Sequence, residues 1–148
     1  MIYVLIAAAI FAGEYFLKKH IEESRKVGED TPVLKGKLLI RRYHNRGAFL
    51  NLGEKKSALM RALSVGLTAG VLVLFVCTLT QKGSGVLKAG LSLLLGGAFS
   101  NTYDRLSRKY VVDYFSFRTG IRSIDRVVFN LADFAIMIGA LCAALGAE

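Results

Sequence analysis

The chain has 148 residues, of which 53% are hydrophobic; its mean hydropathy is +0.45 and its formal net charge is +9. That length suits one domain, and the apolar content exceeds that of an ordinary soluble domain. A positive chain attracts polyanions, but basic loops on so apolar a chain are accounted for by anionic lipid headgroups, so nucleic-acid binding is set aside.

The apolar residues are clumped into the runs Ile2–Leu17, Ala58–Thr80, Val86–Phe99 and Val127–Ala147. Crossing a bilayer as a helix takes about 20 mostly apolar residues. The second and fourth runs reach that length, and the first and third reach it if Lys18 and Lys88 snorkel. No charged face recurs along the second or fourth run, which argues against a soluble helical bundle. The expected architecture is an all-α membrane protein, one polytopic domain over residues 1–148. Its transmembrane helices are expected at about 2–20, 56–79, 85–106 and 127–147, with both termini on one side.

The first run has no basic residues before it, so it reads as a retained helix rather than a cleaved signal peptide. Near its end Glu14 and Lys18 stand four residues apart on one face, a spacing at which an acid and a base neutralise each other. The polar segment that follows contains "KLLIRRY", punctuated by Gly36, Gly47 and Gly53. It predicts a small surface sheet over about 30–55. "QKGSG" is a short turn into the third helix.

The end of the third helix reads "GGAFSNTYDRL". Gly96 and Gly97 permit close approach by another helix. Asn101, Asp104 and Arg105 share a face, either as a helix-end ion pair or as an amide and a guanidinium aimed into a cavity. Asp113 follows, either a surface charge at the end of a strand or half of something catalytic, and Asn130 and Asp133 open the fourth helix. Ionisable groups within membrane spans are costly and mark function by default. The third and fourth helices end on the same side, so Asp113 and Asp133 can meet. Two facing carboxylates hold one proton between them, one acting as acid and the other as base. Such a pair can activate water and protonate a leaving amine.

Cys77 and Cys142 read as small buried hydrophobes, with a disulfide not required. His20 and His44 are too far apart in sequence to suggest a metal site, and neither a metal nor a cofactor is expected. Of the 20 Lys/Arg, 12 fall in 18–61 and six in 105–126, leaving Lys82 and Lys88 at the opposite end. The positive-inside rule would put the two long segments in the cytoplasm.

"GGAFSNTYDRLSRKYVVDYFSF" and "VVFNLADFAIMIGAL" resemble two signatures of the lipoprotein signal peptidase (signal peptidase II) family, GGxxGNxxDRxxxGxVVDF and FNxAD. "HNRGAFLN" at 44–51 is similar to a third, N-x-G-A-A-F. The resemblance covers nearly the whole chain. It implies an aspartyl endopeptidase of the bacterial inner membrane, with its site facing the outer side. Such an enzyme removes signal peptides from diacylglyceryl-modified prolipoproteins and is inhibited by globomycin. It implies Asp113 and Asp133 as the catalytic pair, with the chain leaving the third helix in an extended turn that drops Asp113 against Asp133. Asn101, Arg105 and Asn130 would orient the pair and the substrate, and Asn45 and Gly47 would line the site from the surface sheet. Glu14, Lys18 and Asp104 would be structural. The implied partners are lipidated prolipoproteins and membrane lipids, with the chain a monomer. An apolar groove for acyl chains is expected between the sheet and helices two to four.

The sequence departs from the family pattern at Glu14, where the motif is Asp-x-x-x-Lys, and at Phe49, Leu50, Ser100 and Lys109. The basic outer loops also depart from the positive-inside rule. A silent or substrate-shifted member that binds lipidated peptides is the main alternative. A proton-relay transporter is the other, disfavoured because the polar residues cluster at one membrane face.

Overall fold

The computed structural model describes residues 1–47 and 57–147. Helix α1 spans Ile2–Ser24, longer than expected, and β1 (Thr31–Val33) and β2 (Leu38–Asn45) follow it. After α2 (Ser57–Leu79) and α3 (Gly85–Ser107) comes β3 (Val111–Phe117), then a short α4 (Arg122–Asp125) and finally α5 (Leu131–Leu145). Phe49 and Leu50 of the third signature lie outside the described residues. The turn before α3 is closed by Ser84, whose Oγ accepts from Leu87 N at 3.1 Å, as an N-cap serine does.

The fold is mostly helical with a three-stranded antiparallel sheet ordered β1-β2-β3. Here the structure corrects the sequence reading. The sheet is not confined to the segment after the first helix, because its third strand is the segment after α3. "VVDYFSF" is a strand and not an extended turn. Its first six residues are buried on both faces, as a run of valines and aromatics favours. Val112, Tyr114 and Phe115 form one core cluster with Ile21 of α1, and Leu17, Phe129 and Phe134 pack against it.

The last helix is the second correction. It begins at Leu131 and not near Val127. Phe129 is taken by β3 instead: Phe115 N donates to Phe129 O at 3.0 Å, and Phe129 N to Phe115 O at 2.7 Å. Apolar residues 127–129 satisfy a strand as readily as a helix. Among the described residues, one helix, Ser57–Leu79, is long and apolar enough to cross a membrane, and Leu131–Leu145 is apolar but shorter.

Helix α3 is the hub, packed against α1, α2 and α5, and most extensively against α5. Glycines make this possible. A Cβ on Gly139 would lie 2.5 Å from Leu94 N, and one on Gly90 2.5 Å from Ala143 N. Gly96 meets Ala7 O and Gly97 meets Ala132 O in the same way. Cys77 and Cys142 are free, and Cys77 is exposed rather than buried.

Gly139→Ala forces backbone atoms apart and is expected to cost about 1–3 kcal/mol, as overpacking does. Thermal unfolding in detergent measures it. Gly66→Ala on α2, where a Cβ meets nothing within 4 Å, should leave the transition unchanged or raise it.

Candidate active site

The site begins with an irregularity in the sheet. Ile40 pairs with Phe115, but Tyr43 pairs with Asp113, so Arg41 and Arg42 together oppose the single residue Tyr114. This is a β-bulge, which re-aims the side chains after it. Beyond the bulge, Tyr43 and Asn45 lie on the same sheet face as Val111 and Asp113, and all four line one cavity. The cavity measures about 550 Å³. Its remaining walls are Asn101 and Arg105 from α3, residues 126–129, and Asp133, Ile136 and Met137 from α5. Among the described residues no α2 side chain lines it; a separate apolar groove of about 350 Å³ lies between α2 and α3, lined by Val65, Ala69 and Leu72 with Phe99 and Leu106.

Three asparagines hold the two carboxylates. Asn45 Nδ2 donates to Asp113 Oδ2 at 3.0 Å, and Asn130 Nδ2 to Asp113 Oδ1 at 2.7 Å. Asn101 Nδ2 donates to Asp133 Oδ1 at 3.0 Å. Each amide is oriented by a donor on its oxygen side. Gly47 N donates to Asn45 Oδ1 at 3.1 Å, Asp133 N to Asn130 Oδ1 at 3.0 Å, and Lys18 Nζ to Asn101 Oδ1 at 2.9 Å. An ammonium or a backbone N–H can only donate. Each amide oxygen must therefore face its donor, and each NH₂ must face a carboxylate.

Asp133 is also part of the start of α5. Its Oδ2 accepts from Asn130 N at 3.0 Å while Asn130 Oδ1 takes Asp133 N, a reciprocal capping box. Such a box satisfies amides that the helix cannot. It leaves Asp133 Oδ1 facing Asn101.

Lys18 sits behind the asparagines, 1% exposed. Its Nζ lies 3.4 Å from Glu14 Oε2 and 3.0 Å from Asp104 Oδ2, and donates to Ser100 Oγ at 2.9 Å. Glu14 and Lys18 are thus more than a self-neutralising pair. Glu14 Oε1 instead accepts from Tyr114 Oη at 2.6 Å. Asp104 turns away from the cavity: it accepts from Arg108 Nη1 at 2.9 Å and from Val112 N at 3.1 Å, joining α3 to β3. Arg105 does not pair with Asp104. Its Nη2 donates to Gly47 O at 3.0 Å, and its charge faces both Asp113 and Asp133.

All ten residues singled out in the sequence thus belong to one connected region. Five of them, Asn45, Asn101, Arg105, Asp113 and Asp133, line the cavity; Gly47 and Asn130 hold those residues by hydrogen bonds, and Glu14, Lys18 and Asp104 support them from behind. Sequence reasoning did not single out Tyr114, although the quoted signature has Phe at that position, and it read Ser100 only as a departure. The signal for Ser100 was its place one residue before Asn101, on the face that turns to α1. Among the described residues, no group of three or more His, Cys, Asp or Glu is placed to hold a metal ion.

Asp113 is 2% exposed. Burial, and then the negative charge of Asp133, push its carboxyl up to about 7, against the bonds from Asn45 and Asn130. Loss of hydration disfavours the charged form, and a neighbouring like charge adds to that.

The family profile for signal peptidase (SPase) II matches residues 6–147. The chain belongs to the signal peptidase II family. A lipoprotein signal peptidase of Geobacillus thermodenitrificans is 33% identical over 143 residues, covering 95% of this chain and 86% of the relative. One of Halothermothrix orenii is 31% identical over 140 residues, covering 95% and 90%. A solved bacterial membrane enzyme superposes with a TM-score of 0.82 at 23% identity, over 97% of this chain and 85% of the other. A second does so with a TM-score of 0.77 at 24% identity, over 97% and 90%. At those identities the two solved structures speak to the fold. Family membership makes the chain a peptidase of a bacterial membrane family.

The raised Asp113 carboxyl has a consequence for stability. In the unfolded chain an aspartate titrates near ~3.9, so from there up to about 7 the folded state holds the extra proton. Stability therefore falls as pH rises across that window and stays low above it. Asp113→Asn removes this titration, though its amide NH₂ then meets the NH₂ of Asn45 or Asn130. Its melting temperature in detergent, taken relative to the parent's, should rise between pH 4 and pH 8.

Proposed function

We propose that this signal peptidase II family member is an aspartyl endopeptidase that cleaves the signal peptide from diacylglyceryl-modified prolipoproteins, with Asp113 and Asp133 as its catalytic pair. The observation that carries the reading is one cavity lined by both carboxylates, each held by asparagine amides whose orientation is fixed from behind. The names of the relatives support the substrate class.

In this reading the pair shares one proton. The ionised carboxylate takes a proton from a water molecule as that water attacks the scissile carbonyl carbon. The protonated carboxyl then gives its proton to the leaving amine nitrogen as the C–N bond breaks. Asn101 and Asn130 keep the two carboxylates at a fixed separation. Asn45 and Gly47 present the sheet side of the site. Arg105, anchored on Gly47 O, offers fixed positive charge where negative charge develops on the attacked carbonyl oxygen. The apolar part of the cavity, at Val127, Val128, Ile136 and Met137, suits an acyl chain or an apolar substrate side chain.

The reading includes four membrane helices, α1, α2, α3 and α5, in a single polytopic domain of the bacterial inner membrane. Apolar side chains exposed on each of them support it: Leu5 and Phe16, Leu67 and Val73, Val86, and Met137 and Leu141. Exposed apolar surface on this scale marks contact with lipid or a partner. With 15 residues, α5 spans about 22 Å, short of the ~30 Å hydrocarbon core. Its first turn, which carries Asp133, would then start below the membrane surface, where a lipid-anchored peptide is held. The site would face the outer side, despite its basic loops, and the chain would act as a monomer on its lipidated substrate.

Cleavage of a diacylglyceryl-modified prolipoprotein peptide by the purified protein tests the reading. Asp113→Asn and Asp133→Asn should each lower kcat/KM by roughly 10²–10⁴-fold, the range of general acid–base contributions, while both variants stay folded. Cleavage by either variant at the parent rate would sink the assignment. Absence of cleavage by a folded parent would point to a silent binder of lipidated peptides.

A further inference from the structure

We propose that Tyr114 is a positioning residue: through its hydroxyl bonds to Glu14 and to the first amide of α5, it sets the separation of Asp113 and Asp133. The inference rests on the catalytic pair proposed above and adds a residue to its machinery.

Successive residues of a strand point to opposite faces. On β3, Asp113 lines the cavity, and Tyr114 turns the other way, towards α1, where it is 4% exposed. Its hydroxyl donates to Glu14 Oε1 at 2.6 Å and accepts from Leu131 N at 2.9 Å. A hydroxyl has one proton. With that proton given to Glu14, its lone pairs are left for the Leu131 amide. Leu131 is the first residue of α5, and its N–H has no partner within the helix. The capping box serves Asn130 N and Asp133 N and leaves this amide to Tyr114.

The consequence is geometric. Asp113 is the neighbour of Tyr114 on the strand, and Asp133 is two residues beyond Leu131 on the helix. The ring of Tyr114 is a rigid strut between the two backbones that carry the carboxylates. It is fixed at its other end as well, since Tyr114 N donates to Phe129 O at 2.9 Å. From Glu14 the connection runs to Lys18, from Lys18 to Asn101, and from Asn101 to Asp133. Asn130 then closes the circuit back to Asp113. Both aspartates therefore belong to one closed circuit of polar groups, and the Tyr114 hydroxyl is a member of it.

A tyrosine that merely filled the core would act through its ring, so the hydroxyl alone discriminates. Tyr114→Phe keeps the ring, leaves Glu14 Oε1 without this donor and frees the Leu131 amide. Glu14→Asp withdraws the carboxylate by one methylene and breaks the same bond from the other side. If the carboxylates drift apart, the repulsion that helps to raise Asp113 weakens. Activity lost as pH rises through its titration is then lost at lower pH. The groups around Asp113 that bear on this limb are Asp133 on α5, Arg105 on α3, Lys18 on α1 and Tyr43 on β2, with Asp104 behind Val112.

The experiment measures kcat, KM and their pH dependence on a diacylglyceryl-modified peptide for the full chain, Tyr114→Phe, Glu14→Asp, the double variant and Asp113→Asn. Tyr114→Phe should lower kcat by about 10–100-fold, the scale of a small misplacement of reacting groups, with KM little changed and the alkaline limb moved to lower pH. Glu14→Asp should move the limb the same way, and the double variant should be no worse than the poorer single one. Hydrogen exchange at the Leu131 amide should quicken in Tyr114→Phe. A folded Tyr114→Phe with the parent's kcat and pH profile, or fully additive losses in the double variant, would overturn the inference. If Tyr114→Phe fails to fold, the Glu14→Asp pH profile decides alone. Parent-like cleavage by Asp113→Asn would instead show that the catalytic pair itself is misassigned.

Discussion

A lysine ammonium with almost no exposure to solvent is the constraint on which the arrangement depends. Burying one charge costs several kcal/mol unless it is paired and fully hydrogen-bonded. Lys18 meets that demand with two carboxylates, Glu14 and Asp104, a hydroxyl and an amide oxygen. Two negative charges against one positive leave this inner cluster with net negative charge, and Arg108 on Asp104 offsets it from the outside. The cluster does more than balance charge. Because the ammonium claims the oxygen of Asn101, the amide NH₂ has one direction left, and that direction is Asp133.

The start of α5 carries a similar double duty. Its capping box uses one oxygen of Asp133 to close the helix end and leaves the other for the cavity. The partial positive charge of a helix N-terminus favours a carboxylate there. An element that ends well and a group that is well placed are the same residue. This economy explains why Asn130 is fully buried: its two ends serve the helix and Asp113 at once.

Much of the polar region was legible in the sequence. Asn101, Asp104 and Arg105 on one helical face and Asn130 near Asp133 follow from spacing alone, and the three signatures name the polar cavity residues Asn45, Asn101, Arg105, Asp113 and Asp133. "VVDYFSF" could be read as strand-like, but its place in the sheet was not legible. Its partner is β2, 66 or more positions earlier, and no local pattern encodes a pairing that distant. The late start of α5 was hidden for a related reason. Residues 127–129 are apolar in either state, and only the ladder with β3 decides between them. The split of Asp104 from Arg105 was equally invisible, since it depends on where α1 brings Lys18.

The bulge in β2 acts as a phase shift in a pattern of period two. In a regular ladder continued from Ile40 and Phe115, Arg42 would stand across from Asp113 and His44 across from Val111. The extra residue sends those basic groups to the other face. There Arg42 and His44 hold Glu22 at 2.9 and 2.7 Å, and Tyr43 and Asn45 take their places. A strongly basic hairpin thus keeps its charge off the aspartate it covers. Had an arginine paired with Asp113, its carboxyl would be held ionised and spent in an ion pair. One inserted backbone unit separates a strand that would quench the carboxylate from one that leaves it free to exchange a proton.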